Sequence, residues 1–152
     1  MRLLYFCLAL IGLASISVLA EQIGPDPNDW FKEQYAPLWK AEPWHSVDEI
    51  AKFYSEVIAV HPPTDTIPVV TSRLWLSQSI EGWRSDGWVS SILAGYQSDQ
   101  LNPSTALFKA KWLDLYVDGS EEFSCGWYMA DLSGGHWTFT EYAEIECADH
   151  DL

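Results

Sequence analysis

From residue 88 onwards, apolar and polar side chains alternate with a period of two, and this pattern constrains the fold more than any other feature. The alternation runs through four segments, at 88–98, 104–117, 121–131 and 136–147. Short sequences typical of turns, such as Asp118-Gly119, separate them. Because strands joined by short turns pair antiparallel, we predict an antiparallel sheet in the second half of the chain.

The first half of the chain predicts three helices and one strand. Ser46 and Glu49 have the spacing of a capping box, which marks the start of a helix, and Gly87 is placed to end one. The predicted elements are helices at 29–40, 46–54 and 71–86, a β-branched strand at 56–61 and a loop at 62–70. Helices followed by an antiparallel sheet indicate one α+β domain, in which the three N-terminal helices pack on the sheet.

The N-terminus has the features of a secretory signal peptide. Arg2 gives it a positive start, residues 3–13 are apolar, and residues 18–20 have the small-x-small pattern of a cleavage site. We predict cleavage after Ala20, which makes the protein secreted or periplasmic; an uncleaved membrane anchor is the alternative. The predicted organisation is a signal peptide at 1–20, a linker at 21–27, the domain at 28–148 and a tail at 149–152.

The chain is strongly acidic, with 22 Asp and Glu residues against 8 Lys and Arg residues and a formal net charge of -14. Such a charge argues against binding to nucleic acids or to anionic membranes, because both repel it. The four histidines are not spaced as metal ligands, and the sequence contains no phosphate-binding or dinucleotide-binding motif. We therefore expect no metal, no cofactor, no nucleic acid and, after signal-peptide cleavage, no membrane as a partner.

The Asp118-Gly119 turn sets an expected register for the two strands beside it. If these residues form a two-residue turn, Trp112 faces Cys125. The inner, apolar side of the sheet then consists of Phe108, Ala110, Trp112, Asp114, Phe123, Cys125, Trp127 and Met129. In the last strand the apolar side consists of Trp137, Phe139, Glu141, Ala143 and Ile145.

Matching these inner sides places Cys147 four to six positions along the sheet from Cys125. Residues in a strand are spaced about 3.3 Å apart, so the two Cα atoms would be separated by more than about 13 Å. A disulfide needs Cα atoms within about 7 Å of each other. We therefore predict two unbridged thiols, unless a strong bend or a bulge brings the cysteines together.

The order of these elements resembles the NTF2-like superfamily, which includes SnoaL-like proteins and ketosteroid isomerases. The resemblance is carried by residues 47–62 (VDEIAKFYSEVIAVHP), by the helix at 71–88 and by the last strand at 135–145. It implies a cone in which helices close a curved antiparallel sheet around a cavity. Members of the superfamily serve as enzymes, as binding modules and as dimerisation platforms, so the resemblance alone does not select a function.

The resemblance also places one residue in a catalytic position. In ketosteroid isomerases the proton-transfer base is an Asp directly before a Pro at the end of the first strand, and here His61 stands before Pro62. Histidine is a competent base near neutral pH. The hydrogen-bond donors with which those enzymes stabilise an enolate oxygen have no counterpart on the predicted inner side of the strand at 121–131.

Two carboxylates, Glu141 and Asp114, fall on the predicted inner side of the sheet. An ionised carboxylate is costly to bury without a partner, so Glu141 is expected to line a wet pocket or to pair with Arg73 or Arg84. The aromatic side chains predicted to bind a ligand in the same space are Tyr54, Trp75, Trp83, Trp112 and Trp127. We predict that they surround a cavity that encloses Glu141.

Three hypotheses follow for the function. The first is a secreted domain that binds a small, mostly apolar molecule in the aromatic-lined cavity. The second is an enzyme of the isomerase, dehydratase or cyclase type, with His61 as general base and Glu141 or Tyr54 as acid. The third is a dimerisation or accessory module whose cavity is filled by tryptophans. On the outer side of the sheet, a predicted apolar patch favours a homodimer; it consists of Leu113, Leu115, Tyr128 and Tyr142.

Overall fold

The computed structural model describes residues 24–41, 45–63 and 67–147 of the chain. The predicted signal peptide at 1–20 and the predicted tail at 149–152 lie outside these residues. Within them, no helix is long and apolar enough to cross a membrane. The last residues of the predicted linker contact the sheet, where the Pro25 carbonyl accepts a hydrogen bond from the Trp137 indole at 2.7 Å.

The first helical segment, α1, covers residues 27–39 and changes its winding twice. It consists of an α-helical turn at Pro27–Asp29, a π-helix at Trp30–Tyr35 and a 3-10 helix at Ala36–Trp39. Pro37 lies in the 3-10 turn, where it has no backbone N–H to donate. The helical spacing places Trp30, Phe31, Tyr35 and Trp39 on the buried side of the segment, so α1 supplies large aromatic side chains to the core.

The predicted capping box is confirmed at the start of α2 (Val47–Ala51). The Glu49 backbone donates to the Ser46 hydroxyl, and the Ser46 backbone donates to the Glu49 carboxylate. The chain then enters β1 (Tyr54–His61), which begins two residues before the predicted strand.

The structure contains a strand that the sequence analysis divided between a loop and a helix. This strand, β2 (Val69–Ser72), pairs antiparallel with β1, and its β-branched residues suit an extended backbone at the edge of the sheet. Helix α3 (Leu74–Ser85) therefore begins later than predicted. It ends at Ser85, just before the predicted stop at Gly87, whose φ of 95° is accessible to glycine at little cost.

Four long strands follow, namely β3 (Trp88–Asn102), β4 (Thr105–Tyr116), β5 (Glu121–Ser133) and β6 (His136–Ile145). All strands form one six-stranded sheet in the order β2-β1-β6-β5-β4-β3. Only the β1–β6 pair is parallel; the other neighbours are antiparallel. The predicted α+β class is confirmed, with the N-terminal helices packed on the inner side of a curved, mostly antiparallel sheet.

The β4–β5 turn has three residues, and this overturns the predicted register of β5. The Tyr116 backbone donates to the Ser120 carbonyl at 3.1 Å, and Gly119 adopts a φ of 82° inside the loop. Such a loop shifts the pairing by one residue compared with a two-residue turn, so Trp112 faces Ser124 and not Cys125. A shift by one residue exchanges the two sides of a strand, so the inner residues of β5 are Tyr128, Ala130 and Leu132, whereas Phe123, Trp127 and Met129 are outside.

Strand β6 changes sides part-way along because of a β-bulge. Ala130 faces Phe139 and Met129 faces Glu141, which leaves Thr140 as the extra residue between them. Trp137 and Phe139 are therefore inner residues as predicted, but beyond the bulge the even-numbered residues point inwards. The prediction that Glu141 lies on the inner side is wrong for this reason.

The prediction of free thiols is also wrong, because Cys125 and Cys147 form a disulfide with a Cα–Cα distance of 5.2 Å. The register of β6 differs from the one assumed, and Cys125 faces Ile145. The strand ends there, so Cys147 follows two residues later and reaches back to its partner. The bulge at Thr140 contributes to this register, as the sequence analysis allowed.

Candidate functional site

A cavity of about 450 Å³ opens on the inner side of the sheet, beside the C-terminal ends of α1 and α3. Each helix end contributes one indole, the start of β3 contributes another, β4 and β5 contribute two rings each, and β6 contributes one. These eight side chains are Trp39, Trp83, Trp88, Trp112, Tyr116, Phe123, Tyr128 and Tyr142. The volume falls within the range of sites for small organic ligands, and the walls are mainly aromatic.

A buried carboxylate lies in the wall of this cavity. Asp114 on β4 is 9% exposed and faces Ser91 across the β3–β4 pair. The Ser91 hydroxyl donates to Oδ1 of Asp114, and the Trp88 indole donates to the Ser91 hydroxyl at 3.1 Å. These two hydrogen bonds hold the Asp114 side chain in one orientation through its Oδ1 atom.

Two buried tyrosine hydroxyls complete the inner wall. The Trp112 indole donates to the Tyr128 hydroxyl at 3.2 Å. Burial raises the pKa of both the Tyr128 and the Tyr142 hydroxyl, and the negative charges of Asp114 and Glu144 raise these pKa values further. Both side chains are therefore neutral at physiological pH, and they lie in a negative electrostatic field.

The mouth of the cavity is acidic. Four exposed carboxylates line it, namely Asp86, Glu122, Glu144 and Glu146, together with the Cys125–Cys147 disulfide. Among the described residues that line the cavity there is no lysine, arginine or histidine. The site is thus an aromatic chamber with negative charge at its entrance and in its wall.

Three of the predicted ligand-binding residues, Trp83, Trp112 and Asp114, line the cavity. Tyr54 does not, because its side chain is in the core, where its hydroxyl is 2.5 Å from that of Tyr35. Binding of a ligand by the three cavity residues stays a prediction.

Two predicted ligand-binding tryptophans also lie elsewhere. Trp75 packs on the ring of Tyr142, with 5.5 Å between centroids, and is not among the residues that line the cavity. Trp127 is on the outer side of the sheet because of the three-residue β4–β5 turn. The predicted placement of both side chains around the cavity is therefore wrong.

The two predicted catalytic residues meet each other, but on the outer side of the sheet. Nε2 of His61 and Oε2 of Glu141 are joined by a hydrogen bond of 3.0 Å, and the His61 ring packs on Trp127 with 5.0 Å between centroids. Neither residue lines the cavity. The predicted chamber around Glu141 is absent from the described residues, and His61 cannot act as a base on a molecule bound in the cavity, because the sheet separates them.

Some cavity residues were missed by the sequence analysis. Trp39 ends α1 and Trp88 begins β3; both fall within the predicted helical and strand patterns, but neither was predicted to bind a ligand. Tyr128 and Tyr142 were assigned to the outer side. A three-residue turn with Gly119 in the left-handed region would have placed Tyr128 correctly.

Two of the four residues of the predicted dimer patch do not lie on the outer side of the sheet. Leu113 and Leu115 lie on the outer side of β4, opposite the side of the buried Asp114. Tyr128 is buried at 5% exposure and Tyr142 packs against the core, so neither belongs to an outer patch. A homodimer stays a prediction, supported on this side only by the two leucines.

Comparison with known proteins identifies the fold. No family model matches the sequence, and no curated protein sequence matches it. Among solved structures, an NTF2-like protein of unknown function from Pseudomonas putida superposes with a TM-score of 0.52 at 13% identity, covering 70% of this chain and 76% of the other. The chain has the NTF2-like fold.

Two further structures with this fold have different descriptions. A proposed calcium/calmodulin-dependent protein kinase II association domain from Xanthomonas campestris has a TM-score of 0.57 at 12% identity, covering 80% of this chain and 86% of the other. A proposed polyketide cyclase from the same species has a TM-score of 0.54 at 11% identity, covering 76% and 86%. At these sequence identities, the similarity shows a shared fold and does not assign a function.

Proposed function

We propose that this chain is a secreted NTF2-like domain that binds a small, mostly apolar molecule in its aromatic cavity. The observation that carries the proposal is the open volume of about 450 Å³ walled by tryptophan and tyrosine rings. A cavity of this kind buries a small ligand and removes apolar surface of both partners from water.

Secretion is supported by two features of the chain. Residues 1–20 have the charge and hydrophobic pattern of a signal peptide. The Cys125–Cys147 disulfide suits an oxidising compartment, because disulfides rarely persist in the reducing cytosol. The protein is therefore expected outside the cytoplasm, as a secreted or periplasmic domain.

The binding hypothesis is favoured over the other two. The enzyme hypothesis requires His61 and Glu141 to reach a ligand in the cavity. These residues lie on the other side of the sheet, so the hypothesis has no general base. A module with a cavity filled by tryptophans does not fit the open volume.

Protein purified from its own host should retain a small molecule that native mass spectrometry detects as added mass. The neutral dye Nile red should bind the emptied protein and be displaced by that molecule.

The variant Trp83→Ala should weaken binding of the dye about tenfold, because the indole that stacks on the ligand is removed. Trp127→Ala is the matched control, since this tryptophan lies on the outer side of the sheet. Absence of both retained mass and dye binding would refute the proposal.

His61→Ala and Glu141→Gln should leave dye binding unchanged, within the error of a fluorescence titration. The reason is that their hydrogen-bonded pair does not line the cavity. A tenfold loss of affinity in either variant would show that the outer side of the sheet takes part in binding, and would revive the hypothesis in which His61 and Glu141 are catalytic.

A further inference from the structure

We infer that the ligand of the cavity is an organic cation, an ammonium group attached to an aromatic or aliphatic body. This inference rests on the proposed binding function and specifies the chemistry of its ligand. The arrangement of the tryptophans, the charges that line the cavity and the environment of Asp114 support it.

Three tryptophans form mutually inclined walls at one end of the cavity. The ring centroids of Trp39, Trp83 and Trp88 are 6.1 to 6.2 Å apart in pairs, and the ring planes are inclined by 52° to 72°. Trp112 continues this wall, with its centroid 6.3 Å from that of Trp39. The three indoles contact one another, so they form a continuous aromatic wall on one side of the cavity, and an ammonium group that lies against an indole face of this wall gains a cation–π interaction.

The charges that line the cavity have one sign. Five carboxylates contribute to the lining, namely Asp86, Asp114, Glu122, Glu144 and Glu146, and none of the described lining residues is basic. Lys111 contacts the ring of Phe123 at 4.5 Å, but the lysine itself is not a lining residue. The five carboxylates attract a cation and repel an anion, and the single charge of Lys111, which lies beside the lining residue Phe123, offsets only part of this effect.

Asp114 supplies a binding partner inside the cavity. It is nine-tenths buried, and the hydrogen bond from Ser91 engages only Oδ1. Within the described residues, no lysine or arginine forms an ion pair with it. Because an ionised carboxylate is costly to bury without a counter-charge, a bound cation would provide the counter-charge that the described residues do not.

The arrangement favours an organic cation over a metal ion. Among the described residues, no group of three or more His, Cys, Asp or Glu side chains is placed to hold a metal. The carboxylates are instead distributed around aromatic rings, which suit a cation with a large apolar surface.

The test uses three probes of similar shape and different charge, each measured by displacement of Nile red. The probes are benzyltrimethylammonium, its neutral carbon analogue neopentylbenzene and the anion phenylmethanesulfonate. The cation should bind at least about tenfold more tightly than the neutral analogue, and the anion should not displace the dye. Raising the salt concentration should weaken binding of the cation more than that of the neutral analogue.

Variants connect this preference to the structure. Asp114→Asn preserves the size of the side chain and an oxygen that accepts from Ser91, and should weaken binding of benzyltrimethylammonium about tenfold without changing binding of neopentylbenzene. Glu144→Gln at the exposed mouth provides a second variant that does not disturb the core. Glu141→Gln, on the outer side of the sheet, is the matched control and should have no effect.

The possible results separate the two proposals. Equal affinity for the cation and the neutral analogue, or an unchanged preference in Asp114→Asn and Glu144→Gln, would overturn the inference of a cationic ligand and leave the binding function intact. Tighter binding of the anion would also overturn it. If Nile red and all three probes fail to bind, both proposals are refuted.

Discussion

Replacing Cys125 and Cys147 together by serine is expected to lower the free energy of unfolding by about 3 kcal/mol. The bridge joins residues 22 positions apart, and the loop that it closes contains the turn between β5 and β6. Closing this loop restricts the unfolded chain, so its loss favours unfolding. Urea denaturation of the oxidised wild type and of the double variant measures the difference.

A reducing agent provides the control for this experiment. It should bring the stability of the wild type close to that of the Cys125→Ser/Cys147→Ser variant and leave the variant itself unchanged. Wild type and variant with equal midpoints in urea under oxidising conditions would contradict the prediction. Because the disulfide also lines the mouth of the cavity, weaker dye binding by the variant at low urea would show that the bridge shapes the entrance.

Local signals predicted the order of the elements, except for β2, and one side of the sheet. The capping box at Ser46 and the stop at Gly87 each depend on a few neighbouring residues, and both appear in the structure. The alternation along β4 is continuous, so Trp112 and Asp114 were placed correctly on the inner side. Trp83 was found in the same way, from the helical spacing of α3.

Register could not be predicted as reliably, because it depends on single residues. An Asp-Gly pair suits a two-residue turn, but here Val117 joins it and the loop has three residues. That one extra residue exchanges the two sides of β5. No feature of the sequence marks Thr140 as the site of a bulge, although this bulge reverses the sides of β6 beyond it.

These two irregularities determine the chemistry of the candidate site. Each places a tyrosine inside and an expected site residue outside: Tyr128 in place of Trp127, and Tyr142 in place of Glu141. The cavity therefore keeps Asp114 as its buried carboxylate. The resemblance to NTF2-like proteins implied a cavity and periodicity predicted part of its aromatic lining, whereas the details of the turn and the bulge decide which groups a ligand meets.

Truncation of one core ring should cost more than loss of the disulfide. Phe31→Ala is expected to lower the free energy of unfolding by about 3–5 kcal/mol. Phe31 is fully buried in the π-helical part of α1, and its ring lies 4.9 Å from those of Tyr96 on β3 and Phe108 on β4. Removing it leaves a cavity between α1 and the sheet that these stacked rings cannot readily fill. Urea denaturation monitored by circular dichroism measures the loss.

The matched comparison is Trp83→Ala, which removes a ring that is 38% exposed and lines the ligand cavity. This variant should lose about 1 kcal/mol of stability or less, because the indole is partly exposed to solvent. It should still weaken ligand binding, because the indole lines the cavity. Phe31→Ala should have the opposite profile at low urea, with large destabilisation and retained binding in the folded fraction. If the two variants unfold at the same urea concentration, the prediction is wrong. Packing of Phe31 would then not be what holds α1, and with it the cavity residue Trp39, against the sheet.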